Sequence, residues 1–291
     1  MPPTRPRATR AKWTDTHRRN DAARARPGAG VFVWQAPRAA TTLIRMTDAP
    51  APLPAPRPRI PALDIARTVA LVCMAIYHFT VDLALFGVVA PDLPFTGFFR
   101  YFAHAIAGSF LFLVGISLVL AHRRKIRWRP WLKRLAQIVV GAALVSAATY
   151  ADNPETYVFF GILHMIAAAS LIGLPFLRAP IWLTLATAAL AFIAPHYLRS
   201  TAFDAPWLLW LGLSSEIPRS IDFEPVFPWI GPVLLGIATA RAGVPERLAT
   251  TRAPGSLVRA LSWPGRHSLA IYLVHQPVLF GLLWLWFKYI A

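Results

Sequence analysis

The sequence predicts an all-α protein: a polytopic membrane bundle of about seven transmembrane helices with its N-terminus inside. Three observations predict it. Hydrophobic residues make up 56% of the 291-residue chain and charged residues only 15%, against about a quarter charged in soluble domains. The apolar residues gather into runs near the length that crosses ~30 Å of hydrocarbon at ~1.5 Å per helical residue. Thirty Lys and Arg stand against 13 Asp and Glu, and the basic residues concentrate in a tail and between alternate runs. An ordinary soluble enzyme is excluded. The net charge of +17 could suggest nucleic acid, but its distribution is that of membrane-protein loops, so no nucleic-acid partner is expected. The single Cys73 lies in an apolar run, which leaves no disulfide framework and no cysteine-based metal site.

Residues 1–59 form the first element. They carry no sustained apolar period, hold clusters such as Arg18-Arg19, and are Pro-rich from Pro50 to Pro61. This composition reads as a disordered, basic cytoplasmic tail. It lacks the apolar core of a secretory signal. Met46 opens Met-Thr-Asp-Ala-Pro and is an alternative translation start. The membrane domain then occupies residues 60–291.

In chain order the spans are expected at 63–86, 98–121, 133–150, 157–177, 181–198, 226–242 and 267–289. The third and fifth are short. Trp207–Leu213 is too short to span and reads as an interfacial piece, with Trp at headgroup level. The positive-inside rule sets the orientation. With the N-terminus inside, the 122–134 loop brings Arg123, Arg124, Lys125, Arg127, Arg129, Lys133 and Arg134 to that side. The 241–266 loop adds Arg241, Arg247, Arg252, Arg259 and Arg266. The opposite side receives 87–97, 151–156 and 199–225, which carry seven of the acidic residues, Asp222 and Glu224 among them. Of the 30 basic residues, only Arg100, Arg199, Arg219 and Lys288 fall on that outer side. The reverse orientation breaks the rule at both basic loops.

Ionisable residues inside spans are costly and are functional candidates by default. In the first span Arg67 lies near the inner surface, and His78 and Asp82 share a face at i and i+4. A carboxylate there can hold an imidazole N–H, fix its tautomer and raise its basicity. His104 and His164 sit about 10 Å in from the outer side of their spans, near the level of His78. Three imidazoles at one depth suggest a cluster facing the bundle interior; three separate His bonded to backbone or water is the plainer alternative. No close ligand pair supports a metal, and none is expected. Arg266-His267-Ser268 at the inner mouth of the last span could meet a phosphate, and His275-Gln276-Pro277 places polar groups and a kink near mid-membrane. Snorkelling would also account for Arg67, and a basic helix start for Arg266 and His267. Phe227-Pro228-Trp229 opens the sixth span behind Asp222 and Glu224, and that acidic outer approach suits an amine or a sugar.

Leu63-Asp64-Ile65-Ala66-Arg67 followed by Tyr77-His78-Phe79 resembles the first span of integral-membrane acyltransferases, with an Arg, ten residues and a His. Gly108-Ser109-Phe110-Leu111-Phe112-Leu113-Val114-Gly115, Phe160-Gly161-Ile162-Leu163-His164, Phe227-Pro228-Trp229 and the run from Gly265 to Pro277 look like a narrower group. They resemble the bacterial family similar to the catalytic domain of heparan-alpha-glucosaminide N-acetyltransferase, over about 59–290. The resemblance implies a multi-pass protein of the bacterial inner membrane. It implies an N- or O-acetyltransferase that takes acetyl (acyl) from cytoplasmic acetyl-CoA, as donor substrate, to an extracytoplasmic amino sugar or glycan. In that picture His78 is the catalytic His, with Asp82, His104 and His164 around it. Arg67 then helps to bind the donor; position along the spans adds Arg266, His267 and His275 on the donor side and Asp222, Glu224 and Trp229 on the acceptor side. Acyl transfer needs a base for the acceptor proton, which an oriented His supplies. A small-molecule transporter or flippase would also use intramembrane His, Arg and Asp, though no internal repeat supports it. A haem carrier would pair His across helices.

Overall fold

The computed structural model describes residues 60–123, 125–249 and 254–290. The 1–59 tail and the start suggested at Met46 lie outside them. The described residues are helical, with one isolated bridge between Phe160 and Phe223 and no strand among them. The helices are α1 (Pro61–Leu85), α2 (Gly97–His122), α3 (Trp128–Asp152), α4 (Ile162–Ile172), α5 (Ile181–Tyr197), α6 (Val226–Arg241), α7 (Val244–Arg247), α8 (Ser256–Arg266) and α9 (Ser268–Tyr289). Four of them, α1, α2, α3 and α9, are long and apolar enough to cross a membrane; α4, α5 and α6 are shorter apolar helices.

The largest departure from expectation is the fourth span. The sequence suggests helix over 157–177, but α4 has 11 residues, about 16 Å of rise. The acidic loop explains the late start. Ile221 donates its N–H to the Thr156 carbonyl and Glu224 donates to Phe160, so 157–161 runs extended beside 220–224. The helix begins only where the Asp222 carboxylate accepts the Ile162 N–H at 3.1 Å. It stops at Gly173, just before Pro175, which cannot continue a helical hydrogen-bond ladder. The loop expected over 241–266 carries two helices, α7 and α8. Trp207–Leu213 contains a single 3-10 turn, Leu209–Leu211, closed by Gly212 at φ 80°.

The core centres on α6, which packs between α2 and α5. Its Val233, Leu234 and Ile237 are fully buried with Leu111 of α2 and Met165 of α4. The α2–α6 approach is close because glycine sits on both sides. A Cβ on Gly115 would collide with the Val233 carbonyl, and one on Gly236 with that of Phe112. Small residues at the crossing are the usual way membrane helices pack, since burial from lipid supplies little drive. At the other extreme α9 buries no residue, and its Trp284, Leu285 and Trp286 stay exposed. It rests on α1 and α3.

The helix ends sort into two groups. One end of the bundle gathers the start of α1, the end of α2, the start of α3 and the α8–α9 junction around a cavity. Arg123 at the end of α2 pairs there with Glu246 of α7. Arg241, ending α6, donates to the Phe176 and Ala179 carbonyls between α4 and α5. The opposite end is closed by the acidic loop over the α3–α4 connection.

Candidate functional site

The cavity at the basic end has a volume of about 540 Å³. Its polar wall carries Arg67, Arg127, Arg134 and Arg266 against one carboxylate, Asp64. Four guanidiniums less one carboxylate leave three positive charges. Asp64 organises two of them. Arg67 Nη1 donates to Asp64 Oδ1 at 2.8 Å and Nη2 donates to Ser117 Oγ of α2 at 2.6 Å. Arg266 Nε stands 3.5 Å from the other Asp64 oxygen. Thr68, one residue beyond Arg67, donates to the Leu261 carbonyl at 2.7 Å and accepts the Gly265 N–H at 2.9 Å. A Cβ on Gly265 would collide with the Asp64 carbonyl. The glycine therefore lets α8 approach α1 closely enough for Arg266 to reach Asp64. The remaining wall is mostly apolar, from Phe110, Leu113, Ile138 and Leu163 with Tyr272, and carries His122, Ser170 and Ser268 as further polar groups. A cationic rim over an apolar sleeve suits a ligand with phosphates at one end and a slender neutral arm. His267, expected beside Arg266, is exposed: its Nδ1 lies 3.0 Å from the Trp263 carbonyl and its ring lies against that indole.

Deeper along the same helices lies a pair of imidazoles. His78 is 11 residues beyond Arg67, about 16 Å of helix. His275 is seven beyond Ser268, about 10 Å. Their ring centroids are 5.0 Å apart. The His275 Nδ1 is 2.6 Å from the Tyr272 carbonyl. A carbonyl only accepts, so the hydrogen sits on Nδ1 and Nε2 keeps its lone pair. That Nε2 is buried and has no hydrogen-bond partner among the described residues. Tyr77 and Tyr272 flank the pair, with centroids 5.6 Å from His78 and His275 respectively.

The expected grouping around His78 is corrected in three places. Asp82 does not hold the His78 ring: its Oδ1 accepts from Gln276 Nε2 at 2.7 Å, and no hydrogen bond among the described residues joins it to His78. His164 is occupied as a cap of α4. Its Nδ1 accepts the Gly161 N–H at 3.2 Å, and its Nε2 is 3.3 Å from Ser146 Oγ. The short α4 causes this, because His164 falls in the first turn, where backbone N–H groups lack helical partners. His104 is exposed and lies against Trp229, centroids 5.7 Å apart. The partner that His78 has is His275.

At the acidic end, Asp222 and Glu224 bracket Phe223 beside the start of α4. Both lie within electrostatic range of the Tyr77 and Tyr272 hydroxyls. Loss of water pushes the Asp222 carboxyl up to about 6, overcoming the opposite effect of the Ile162 N–H that it accepts. Burial, then the neighbouring Asp222, holds Glu224 well above the usual carboxylate range. Glu224 Oε2 is buried without a partner among the described residues. No group of His, Cys, Asp and Glu fit to hold a metal occurs among the described residues.

The sequence marked Arg134 only as a loop charge and Gln276 only as a mid-membrane polar group, and gave Tyr272 no role of its own. Ser268, Tyr272, His275 and Gln276 follow the i, i+4, i+7, i+8 pattern of one helical face, and that polar stripe on an apolar helix was the available signal.

No curated protein and no solved structure gives a match. A family model does: heparan-alpha-glucosaminide N-acetyltransferase, catalytic, over residues 59–277. The matched segment runs from the Asp64–Arg67 start of α1 through His78, the α4 cap and the acidic loop. It takes in the cavity rim and the His275–Gln276 pair of α9 before it ends. The chain therefore belongs to the heparan-alpha-glucosaminide N-acetyltransferase catalytic family of membrane acetyltransferases.

Proposed function

We propose that the protein moves an acetyl group from acetyl-CoA, held at the basic end, to an amine or hydroxyl of an amino sugar or glycan that approaches from the acidic end. The observation that carries the reading is the His78–His275 pair, two imidazoles 5.0 Å apart on the helices that also line the cationic cavity. Family membership supports this enzyme over a transporter or flippase. In the proposed topology the basic end is cytoplasmic, as the excess of Arg and Lys in its loops favours. α4, α5 and α6 complete seven spans with α1, α2, α3 and α9. The 1–59 tail precedes a membrane domain over 60–291, in a bacterial inner membrane.

Arg67, Arg127, Arg134 and Arg266 would bind the phosphates of the donor, and the apolar sleeve its neutral arm. Held at the rim, the donor points its thioester along α1 and α9 toward the imidazoles. The acceptor enters past Trp229 and Glu224, with Asp222 holding the wall in place. As the acceptor nitrogen or oxygen forms its bond to the carbonyl carbon, His78 takes the acceptor proton. The carbon–sulfur bond then breaks, and the proton passes to the leaving CoA sulfur. The bare His275 Nε2 gives that proton a second site beside His78. An imidazole that can both accept and return a proton suits both transfers.

The test uses purified protein in liposomes with labelled acetyl-CoA, following thiol release and label on added amino sugars. His78→Ala is expected to lower thiol release by about 10²–10⁴-fold with an unchanged thermal midpoint. Folded wild-type protein that neither binds nor turns over acetyl-CoA would overturn the reading.

A further inference from the structure

Asp82 is a carboxyl at 0% exposure on a membrane helix, held by one hydrogen bond. Its Oδ1 accepts from Gln276 Nε2 at 2.7 Å. The two remaining oxygens of the pair, Asp82 Oδ2 and Gln276 Oε1, are both buried and both lack a partner among the described residues. Each is bonded to the same carbon as an atom of that contact, so a coplanar carboxyl and amide joined at Oδ1 and Nε2 would bring the two orphans face to face. As an ionised carboxylate beside an amide oxygen they are two acceptors with no donor between them, in a place where an unpaired charge is costly. One proton resolves both. On Oδ2 it makes Asp82 a carboxylic acid that donates to Gln276 Oε1, while Oδ1 goes on accepting from Nε2.

We propose that Asp82 and Gln276 form a cyclic acid–amide pair, with the proton on Asp82 Oδ2, that pins α1 to α9 beside the His78–His275 site. Asp82 is one turn beyond His78, and Gln276 adjoins His275 in sequence. Theirs is the sole side-chain hydrogen bond between α1 and α9 among the described residues. α9 has no buried residue to fix its rotation or height, so a two-bond pair sets the spacing of the imidazoles where apolar contact alone would let α9 slide. Asp82 is then a positioning residue, neutral, rather than a charge acting on His78. The pairing stands on geometry alone; its effect on turnover rests on the acetyltransferase reading.

Infrared difference spectra of wild type against Asp82→Asn, in liposomes at neutral pH, read the proton directly. A carboxylic-acid carbonyl band is expected in the wild type, lost in Asp82→Asn and displaced in Gln276→Leu. This readout needs no turnover, so it holds or fails independently of the enzyme assay. In that assay Asp82→Ala is expected to lower kcat between about ten- and a hundredfold through misplaced imidazoles, with the KM for acetyl-CoA little changed. Asp82→Asn restores turnover, because its amide donates to Gln276 Oε1 as the acid did. The exchange Asp82→Asn with Gln276→Glu restores both turnover and an acid band. Absence of an acid band assignable to Asp82 overturns the proposal. So does an Asp82→Asn protein of wild-type thermal midpoint as slow as Asp82→Ala, which would return Asp82 to an ionised partner of His78.

Discussion

The two ends of the bundle solve opposite problems. At the basic end, four Arg face a cavity of about 540 Å³ with one carboxylate among them. Charge is left in surplus there, and Asp64 bridges Arg67 and Arg266 without neutralising all four guanidiniums. At the acidic end most of the polar groups hold the fold, with Glu224 Oε2 left without a partner among the described residues. Asp222 caps α4, Ser220 donates to the Tyr157 carbonyl at 2.9 Å, and Asp204 accepts from Ser214 and Ser215. The difference teaches that charge placed by topology can serve a ligand at one face while charge at the other shapes a wall. Like-charged Arg around a cavity repel one another and are stabilised by an anion; a carboxylate on a helix N-terminus is stabilised by the helix itself.

That contrast can be broken in measurable ways. The largest effect is expected from Arg134→Gln, which removes a guanidinium from the cavity wall without breaking the Asp64 bridge. The KM for acetyl-CoA should rise about tenfold or more, the worth of one charge-assisted hydrogen bond, with a nearly constant thermal midpoint. An unchanged KM would move the donor away from the basic cavity.

A smaller effect is expected at Asp222. Asp222→Ala should cost about 1 kcal/mol of stability through the lost cap on α4, read by thermal unfolding in detergent. Asp222→Asn keeps an oxygen for the Ile162 N–H and removes the burial penalty of the charge. The sign with pH follows from a carboxyl raised to about 6 in the fold against about 4 unfolded. The folded state binds the extra proton, so the Asp222 contribution is full below about pH 4 and is lost as pH rises through about 6. The Asn variant should flatten that slope; a slope unaltered by it would place the titration elsewhere.

The smallest effect belongs to Asp204. The Ser215 hydroxyl, the Ser214 hydroxyl and the Ser215 N–H hold its carboxyl below the usual range. Its contribution is therefore present above the ordinary carboxylate range and lost as pH falls through the lowered value. Asp204→Asn should change only the acid side of the unfolding profile, and by little, since the group is exposed.

Much of the site was legible in the sequence, residue by residue. Arg67 and Arg266 could be placed at one mouth because basic loops mark one side and helical rise gives depth. His78 and His275 were visible as costly residues in apolar runs. Their adjacency was not, because pairing depends on how α1 and α9 pack. His104 and His164 matched His78 in depth and still went elsewhere: depth is one coordinate, and rotation about each helix is another. His164 was also lost to the capping of a helix shorter than its apolar run. Asp82 shared a face with His78 in the i, i+4 pattern, yet the group that bonds it is Gln276 of a neighbouring helix.

By itself the sequence determined what one-dimensional periodicity and partition into lipid can determine: helical class, the apolar runs, and the unequal sorting of charge between alternate loops. Those follow from the cost of burying backbone and charge in hydrocarbon. Tertiary structure decided which polar groups meet. Gly115 and Gly236 set the α2–α6 approach, and Gly265 let Arg266 reach Asp64. The acidic loop cut α4 short, and α9 came to α1 so that His275 stands beside His78. Such contacts join residues far apart in the chain, and their geometry is fixed only when the helices pack.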